Sequence, residues 1–531
     1  MTKRPGISTE IVSKIIPIFA QQQFSIMTSG FASTSDQGST SDKNTSKGFS
    51  ISGIFDSILN NGRNRNIFFV CVLIVNLLIK SNGIGINSLD YDESISLKEV
   101  SLDFGHIKHE AEWDNNPPFY YYCIWVWHHI FEINEVNARV LSLIFSALAI
   151  ALFGRFVFKR FNFATALGIA MALTAHTMLL YHAQQARSYS LTLLLVVIST
   201  ITFFNYLEKR KLQQALLLGL INFLLVYTHY ISGIILLIQG FVVYTTDKKL
   251  LPKYLISYLI CAILIAMRFT KKQFLNILGF NSTGNFWLQK PGEWELNDSL
   301  NSLSNNAVVK ILFLSACIYL IIQLFVKSKE SKHRALIIYT LLASIFTIST
   351  LFIISLAKPM FLSRYMIFCV PFIYLTIALV ITQIFSEKYT TPVILVVALI
   401  SALSYKFTYE RNENYRLFAN TVKDLKQKDD VVIINTADDT NLFTYYFDKK
   451  LFLKKNLADE LSTQNVFSIR EAADIKNFEG NFRNRIILIQ QFQQNASGHS
   501  AVDYLSSQYE AYFQTGDTSK ISLVFLRRKG Q

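Results

Sequence analysis

The chain has 531 residues, of which 51% are hydrophobic, 14% are aromatic and only 17% are charged, and its mean hydropathy is +0.30. Soluble domains carry about 25% charged residues, so this composition excludes an ordinary soluble protein and predicts a polytopic membrane protein. Much of the net charge of +14 lies in short loops between apolar segments, which indicates membrane topology and contact with membrane lipids rather than binding to nucleic acid.

Residues 1–65 are rich in Ser, Thr, Asn and Gly and predict a disordered tail. A membrane domain is predicted at residues 66–408, because this region holds eleven apolar segments of about the 20 residues that a spanning helix needs. The first segment is expected to be an uncleaved anchor, since no small-residue cleavage site follows the early apolar stretch. The predicted spans are 66–86, 138–158, 162–181, 187–207, 212–228, 230–246, 252–268, 307–327, 334–356, 365–386 and 390–408.

The orientation is predicted from the Lys and Arg residues of the short loops, which mark the cytoplasmic side of a membrane. One alternate set of loops carries most of them, and the other set holds only Arg187, Lys358 and Arg364. The first set and the N-terminus are therefore expected in the cytoplasm, and eleven spans then place the C-terminal segment outside. The protein is expected to be a multi-pass protein of the inner or plasma membrane.

Residues 409–531 are polar and predict a small extracytoplasmic α/β domain. Strands are predicted at 431–435, 485–489 and 521–526, with helices at 439–447 and 501–513. The first outer loop, residues 87–137, is long enough for short amphipathic helices on the membrane surface. The predicted fold class is an α-helical polytopic membrane protein of about eleven transmembrane helices with this C-terminal α/β domain.

Two acidic motifs follow the first span: Asp92 and Glu93 in Leu-Asp-Tyr-Asp-Glu-Ser, and Asp114 before Asn-Asn-Pro-Pro-Phe. Carboxylates near a span are costly to desolvate, so they are usually functional or kept wet. A carboxylate can act as base on an acceptor hydroxyl while arginines hold a phosphate leaving group. The topology gathers further polar residues at the same outer ends of the spans, namely Asp90, His182, Arg187, Tyr189, His229, Lys358, Arg364 and Tyr365.

Each of these residues also has a simpler interpretation. Asp92 and Glu93 are compatible with a solvated helix cap, Asp114 with a turn, and Arg187 or Arg364 with contacts to lipid headgroups. Asp90 and Asp92 have the spacing of a metal-binding carboxylate pair, so a divalent ion stays open as a cofactor. The outer face holds no nucleotide pool, so a transferase there needs a donor carried across the membrane, most simply a lipid phosphate sugar.

Four motifs occur in a fixed order on the predicted outer side. They are Asp92-Glu93-Ser; Asp114-Asn-Asn-Pro-Pro-Phe-Tyr-Tyr with Ala138-Arg139-Val-Leu-Ser; Gln185-Ala-Arg187-Ser-Tyr189 with Tyr227-Thr-His229-Tyr230; and Ser363-Arg364-Tyr365 with Pro371. In this set, over roughly residues 66–410, the chain resembles the GT-C membrane glycosyltransferases and above all their bacterial family 39-like branch. That superfamily includes dolichyl-phosphate-mannose protein mannosyltransferases and bacterial lipid A aminoarabinose transferases.

The resemblance implies roles for individual residues. Asp92 would be the general base with support from Glu93, and Asp114 would organise the acceptor or the donor sugar. Arg187, Tyr189 and Arg364, with His229 and Tyr365 beside them, would bind the lipid phosphate and the substrate. The chain departs from the family pattern at Asn116, where the family has His, and at Val140-Leu141, which replaces Leu-Pro. The loss of that His puts activity or substrate choice in question.

The predicted reaction is the transfer of one sugar from a polyprenyl-phosphate sugar to a protein, lipid or glycan acceptor on the outer face. One rival is a glycan polymerase or ligase that uses a pyrophosphate-linked oligosaccharide. The other is a transporter or flippase, which predicts ionisable residues in mid-span and broken helices in paired halves. A requirement for a monosaccharide donor separates the first rival from the predicted transferase.

Overall fold

The structure is a computed structural model, and it describes residues 62–110, 116–270, 288–326, 333–405, 414–435, 439–491, 501–517 and 521–529. Sixteen helices are described before residue 405. They are α1 Gly62–Ser81, α2 Tyr91–Ser101, α3 Phe104–Glu110, α4 Phe119–His128, α5 Glu135–Arg160, α6 Phe163–Thr174, α7 Thr177–Ala183, α8 Tyr189–Lys209, α9 Leu212–Val226, α10 Tyr230–Thr246, α11 Lys248–Arg268, α12 Glu293–Ser304, α13 Ala307–Val326, α14 Arg334–Ala357, α15 Ser363–Ile384 and α16 Glu387–Leu403.

Each of the eleven predicted spans coincides with one of these helices or with the α6–α7 pair. By length and composition, seven of the described helices are apolar enough to cross a membrane, or eight if α6 and α7, which are bent by 61°, count as one span. Helices α9, α10 and α16 are shorter apolar helices. The predicted multi-pass helical fold is confirmed, with fewer full-length spans than the eleven expected, because breaks such as Thr228-His229 shorten the helices on either side.

The predicted N-terminal tail lies at residues 1–61 outside the described residues, and it stays a prediction. Helix α1 begins at Gly62, four residues before the predicted start of the membrane domain. The segment between residues 87 and 137, which was predicted to be the first outer loop with short helices, contains α2, α3 and α4.

Helix α5 runs between the two ends of the bundle. Asn134 caps its beginning by accepting a hydrogen bond from the backbone of Asn137. Its last turn carries Lys159 and Arg160, which suit the negative end of the helix dipole and pair with Glu208 of α8 at 2.9 and 2.8 Å. Arg139 and Arg160 are 21 residues apart, which corresponds to about 32 Å along a helix. The first turn of α5 and its basic last turn therefore lie at opposite ends of the bundle.

The C-terminal region folds around a five-stranded sheet in the order β2-β1-β3-β5-β4. Strand β1 is parallel to β2 and β3, whereas β5 is antiparallel to β3 and β4. The strands are β1 Val431–Asn435, β2 Val466–Ile469, β3 Ile486–Gln491, β4 Tyr509–Asp517 and β5 Ile521–Arg528. The helices are α17 Tyr415–Leu425, α18 Thr440–Phe447, α19 Lys449–Phe452, α20 Leu457–Ser462 and α21 Ala501–Leu505.

Three predicted strands coincide with β1, β3 and β5, and the predicted helix at 439–447 coincides with α18. The predicted helix at 501–513 is wrong beyond Leu505, because the chain from Tyr509 onward forms β4. This segment pairs with β5 along its length, and Tyr and Phe side chains fit a pleated surface. Strand β2 is four residues long and was missed.

The two faces of the sheet pack against different partners, since side chains alternate along a strand. Val431, Ile433 and Leu488 face a core shared with α21. Val432 and Ile434 face the other way and belong to the same continuous core as α18 and the membrane helices. This second face connects the sheet to the first outer loop.

Candidate active site

Helix α2 begins immediately after the first span, and its cap explains part of the acidic motif. Asp90 is the N-cap, and its carboxylate accepts a hydrogen bond from the Glu93 backbone at 2.7 Å. Glu93 closes the capping box by accepting from the Asp90 backbone at 3.1 Å. The cap interpretation named Asp92 and Glu93 as solvated cap residues, whereas the cap consists of Asp90 and the buried Glu93, and the carboxylate of Asp92 lies outside it.

Glu93 is completely buried and accepts four hydrogen bonds. Two come from the guanidinium of Arg139, at 2.8 Å from Nε and 2.7 Å from Nη2. The others come from the backbone N–H groups of Ala186 at 2.9 Å and Asp90. These four hydrogen bonds fix the carboxylate, and they join three segments of the chain: the start of α2, the first turns of α5 and the residue before Arg187.

Arg139 is equally saturated. Its side chain is 2% exposed and uses all five of its N–H donors. Besides Glu93, it donates to the backbone carbonyls of Ile84, Asn87 and Ser88, each at 2.9 Å. The Glu93–Arg139 pair thereby fixes the loop between α1 and α2. Arg139 belongs to one of the sequence motifs, but its pairing with Glu93 was not predicted.

Asp92 points elsewhere, because successive residues of a helix project about 100° apart. Its carboxylate is 32% exposed and lies 3.8 Å from Nη2 of Arg187 and 3.7 Å from Nη1 of Arg364. Arg187 is held against α2, since its Nη1 also donates to the Asp92 carbonyl at 3.3 Å and to the Ser96 hydroxyl at 3.4 Å. The result is an accessible carboxylate between two guanidinium groups that come from the start of α8 and the start of α15.

Aromatic rings form one side of this arrangement. The Tyr189 ring centroid lies 6.2 Å from that of His229 and 6.5 Å from that of Tyr365, and His229 and Tyr365 are 5.5 Å apart. The Arg364 guanidinium lies 5.7 Å from the centre of the Tyr365 ring. Six residues that the sequence predicted for the site therefore come from four separate segments and lie together, namely Asp92, Arg187, Tyr189, His229, Arg364 and Tyr365.

A polar chain links the cap of α2 to these rings. Gln185 donates to the second carboxylate oxygen of Asp90 at 2.7 Å, and its carbonyl oxygen lies 2.8 Å from Nδ1 of His182. The His182 ring lies 4.7 Å from the Tyr189 ring. Gln185 begins one of the sequence motifs, but its bond to Asp90 was not predicted, since a Gln gives no sequence signal of its partner.

Burial shifts the pKa of Asp90 and the pKa of His229. It raises the pKa of Asp90 to about 7, with a further contribution from the neighbouring Glu93 carboxylate. Burial and then the positive charge of Arg187 lower the pKa of His229 to about 4. The His229 ring is therefore neutral at physiological pH, and it contributes no charge to the site.

Two solved structures of ArnT from Cupriavidus metallidurans are similar to the chain. The apo structure has a TM-score of 0.53 at 11% identity, over 86% of this chain and 97% of that one. The structure bound to undecaprenyl phosphate has a TM-score of 0.54 at 11% identity, over 88% of this chain and 98% of that one. The chain has the GT-C fold.

The other comparisons add no identification. The oligosaccharyltransferase of Archaeoglobus fulgidus is less similar, with a TM-score of 0.47 at 10% identity over 86% of this chain and 74% of that one, and this likeness carries no argument. No protein-family model matches the chain, and no curated protein sequence matches it. The predicted GT-C fold is confirmed. At 11% identity the likeness concerns the fold alone, so the chemistry has to be inferred from the residues of this chain.

Other motif residues lie beside the site of this GT-C fold. The Tyr120 hydroxyl is 3.0 Å from the Ser142 hydroxyl, which donates to the Arg187 carbonyl at 3.4 Å. The backbone of Phe119 donates to the Tyr227 carbonyl at 3.1 Å. These bonds connect the Pro-Pro-Phe-Tyr, Arg-Val-Leu-Ser and Tyr-Thr-His-Tyr motifs to each other and to Arg187.

Two predictions about this site stay open. Asp114 lies outside the described residues, so its proposed role has no geometry. Among the residues that the structure describes, no group of three or more His, Cys, Asp or Glu side chains is arranged to hold a metal ion. The Asp90 carboxylate, one half of the predicted carboxylate pair, is occupied by the cap of α2 and by Gln185.

Proposed function

We propose that the protein is a membrane glycosyltransferase that moves one sugar from a polyprenyl-phosphate sugar to an acceptor hydroxyl on the outer face of the cell membrane. The observation that carries this proposal is the accessible Asp92 carboxylate between Arg187 and Arg364. The GT-C fold supports it, since one structure of that fold is bound to undecaprenyl phosphate. A phosphate carried on a lipid is the ligand that two guanidinium groups at the ends of membrane helices suit.

In the proposed reaction, Asp92 is the general base. The acceptor hydroxyl attacks the anomeric carbon of the donor sugar and gives its proton to the Asp92 carboxylate. The bond between that carbon and the phosphate oxygen breaks, and polyprenyl phosphate leaves with the electron pair. Arg187 and Arg364 bind the phosphate oxygens and stabilise the charge that develops on them. A single displacement of this kind inverts the anomeric configuration.

The remaining site residues are proposed to orient the substrates. Glu93 is a positioning residue, because all of its described contacts are to Arg139 and to backbone groups that hold α2 and the segment before Arg187. Tyr189, His229 and Tyr365 offer an aromatic wall for the sugar or for the first isoprene unit. Asp114 is proposed to organise the acceptor or the donor sugar.

The outer location is proposed from the charge distribution. The site lies at the start of α5, whereas Lys159, Arg160 and Arg210 lie at helix ends on the opposite side of the bundle. Basic residues in short loops mark the cytoplasm. The N-terminus would then be cytoplasmic, and the C-terminal α/β domain would lie outside together with the acceptor, which is a protein, a lipid or a glycan.

A transfer assay tests this function. Membranes that contain the wild type would receive radiolabelled polyprenyl-phosphate monosaccharides, and the label would be followed into protein, lipid and glycan fractions. The expected result is label in one fraction with the wild type and none with Asp92→Asn, while Asp247→Asn, a carboxylate paired with Arg210 at the opposite side of the bundle, transfers normally. Label only from pyrophosphate-linked oligosaccharides would identify a polymerase or ligase instead, and no label from any donor would overturn the proposal.

A further inference from the structure

The helix that carries Asp92 is short and is held by the C-terminal domain. Helix α2 has 11 residues, which corresponds to about 16 Å, and an isolated helix of this length is marginal in water. Its position therefore depends on tertiary contacts. One of these is the Glu93–Arg139 pair within the membrane part. Others are the bonds from Gln185, Ala186 and Arg187, and a separate set comes from residues 440–454 of the C-terminal domain.

The first contact holds the beginning of α2. The hydroxyl of Tyr446, on α18, accepts a hydrogen bond from the buried backbone N–H of Leu89 at 2.6 Å. The same hydroxyl donates to the Glu135 carboxylate in the first turn of α5. Glu135 also pairs with Arg416, on α17. Tyr446 thus joins the residue before the α2 cap to the helix that carries Arg139.

The second contact holds the end of α2. Lys98 lies in its last turn, is 8% exposed and donates to the carbonyls of Phe452 at 2.6 Å and Lys454 at 2.5 Å. These carbonyls belong to the last residue of α19 and to the second residue after it. Leu97 and Val100 are buried in the same hydrophobic core as Phe443 and Phe452. The two contacts lie on either side of Asp92 and Ser96, the residues of α2 that contact Arg187.

We propose that residues 440–454 of the C-terminal domain are a positioning element of the active site, with Lys98 and Tyr446 holding α2 so that Asp92 faces Arg187 and Arg364. This inference depends on the proposed function for its effect on turnover, because neither residue is assigned to substrate. A displacement of about 1 Å in a reacting group costs as much as a hundredfold in rate. Loosening α2 is therefore expected to lower kcat and to leave the KM for the donor nearly unchanged.

The test compares Lys98→Met with Lys449→Met. Lys449 lies at the start of α19, and its ammonium pairs with the exposed Glu132 at 2.6 Å. Its substitution therefore removes a positive charge, as Lys98→Met does, and leaves the contacts of α2 intact. Lys98→Met is expected to lower kcat by roughly ten- to a hundredfold, with KM within about twofold, and Lys98→Arg is expected to recover most of the rate. Lys449→Met is expected to match the wild type.

Two further measurements separate positioning from general damage. Hydrogen exchange of full-length protein is expected to quicken in residues 89–101 of Lys98→Met and to stay unchanged in α5 and α8. Introducing Lys98→Met into Asp92→Asn is expected to cause no further loss of rate, because Lys98 acts through Asp92. If Lys98→Met does not fold, Tyr446→Phe, which removes only one oxygen atom, is measured in its place by the same rate and hydrogen-exchange experiments.

The outcomes distinguish this inference from the proposed function. If no lipid donor supports transfer by the wild type, the proposed function fails, and the hydrogen-exchange comparison still tests the hold on α2. If transfer occurs and Lys98→Met and Tyr446→Phe both match Lys449→Met in kcat and in exchange, the inference is overturned. Faster exchange spread evenly over the chain would overturn it as well, since that result means a loss of global stability.

Discussion

Two neighbouring carboxylates of α2 lie in opposite environments. Glu93 is fully buried and accepts four hydrogen bonds, whereas Asp92 is one third exposed and faces two guanidinium groups at 3.7 and 3.8 Å. A saturated buried pair has no capacity left for a ligand, so its contribution is to hold the chain in place. An accessible carboxylate beside two arginines can exchange these contacts for substrate. The comparison therefore supports the proposal that Glu93 positions the chain and that Asp92 is the general base.

The largest expected effect comes from removing the carboxylate that is proposed to be the general base. Asp92→Asn is predicted to lower the transfer rate by about 100- to 10,000-fold, the range that a positioned general base supplies. Its thermal stability in detergent is predicted to equal that of the wild type, because Asp92 is partly exposed and lies outside the cap of α2. Rate and melting temperature would be measured on the same purified preparation, and a variant that retains full transfer would remove Asp92 from the mechanism.

Breaking the buried Glu93–Arg139 pair is predicted to lower the stability of the fold, which Asp92→Asn leaves unchanged. Arg139→Gln leaves the Glu93 carboxylate buried without its cation, which costs about 3–5 kcal/mol of unfolding free energy. Lys159→Gln is the matched control, since it breaks an exposed pair with Glu208 and costs about 0–1 kcal/mol. Chemical unfolding in detergent measures both, and equal effects in the two variants would show that the Glu93–Arg139 pair contributes no special stability.

Substitutions of Arg187 and Arg364 are predicted to lower the affinity for the lipid phosphate. Arg187→Lys and Arg364→Lys are each expected to weaken the binding of undecaprenyl phosphate by roughly tenfold, because an ammonium lacks the planar fork that matches two phosphate oxygens. Arg527→Lys, in an exposed pair with Glu510 on the sheet, is the control. A fluorescence titration with undecaprenyl phosphate gives the affinities. Unchanged affinity in both site variants would mean that the phosphate binds elsewhere.

The last prediction concerns Asp90 and the dependence of stability on pH. Burial raises the pKa of Asp90 from 3.8 to about 7, so between these values the folded state binds more protons than the unfolded state. Stability contributed by this group therefore falls as pH rises from about 4 to about 7. Asp90→Asn keeps a good N-cap and lacks this dependence. As pH rises over this range, the melting temperature of the wild type is predicted to fall relative to that of Asp90→Asn. Parallel curves for the two proteins would contradict the pKa shift.

The membrane part was more predictable from sequence than the C-terminal domain. Apolar runs of about 20 residues are a strong local signal, and each predicted span coincides with a helix. Strand β4 depends on pairing with β5, a contact that no local pattern at 509–517 reveals. The predicted helix at 501–513 failed for this reason, and the four residues of β2 were too few to give a pattern.

The site shows the same division. Motif order and predicted topology indicated Asp92, Arg187, His229 and Arg364, because span ends on one side of a bundle gather together. The resemblance named Asp92 as the base and Glu93 as its support, but the sequence did not predict their different environments, since that difference arises from the helical rotation between them and from the position of Arg139 on α5. The contacts of Tyr446 and Lys98 join segments more than 350 residues apart, and they carry no signal in either segment alone.

The measurement that tests the division between the two carboxylates most directly compares Asp92→Asn and Glu93→Gln side by side. Initial transfer rate and melting temperature would be recorded for both carboxamide variants in one preparation. The account predicts that Asp92→Asn loses transfer at an unchanged melting temperature, and that Glu93→Gln melts well below the wild type. Normal transfer by Asp92→Asn, together with a stable but inactive Glu93→Gln, would assign the chemistry to Glu93 and contradict the account.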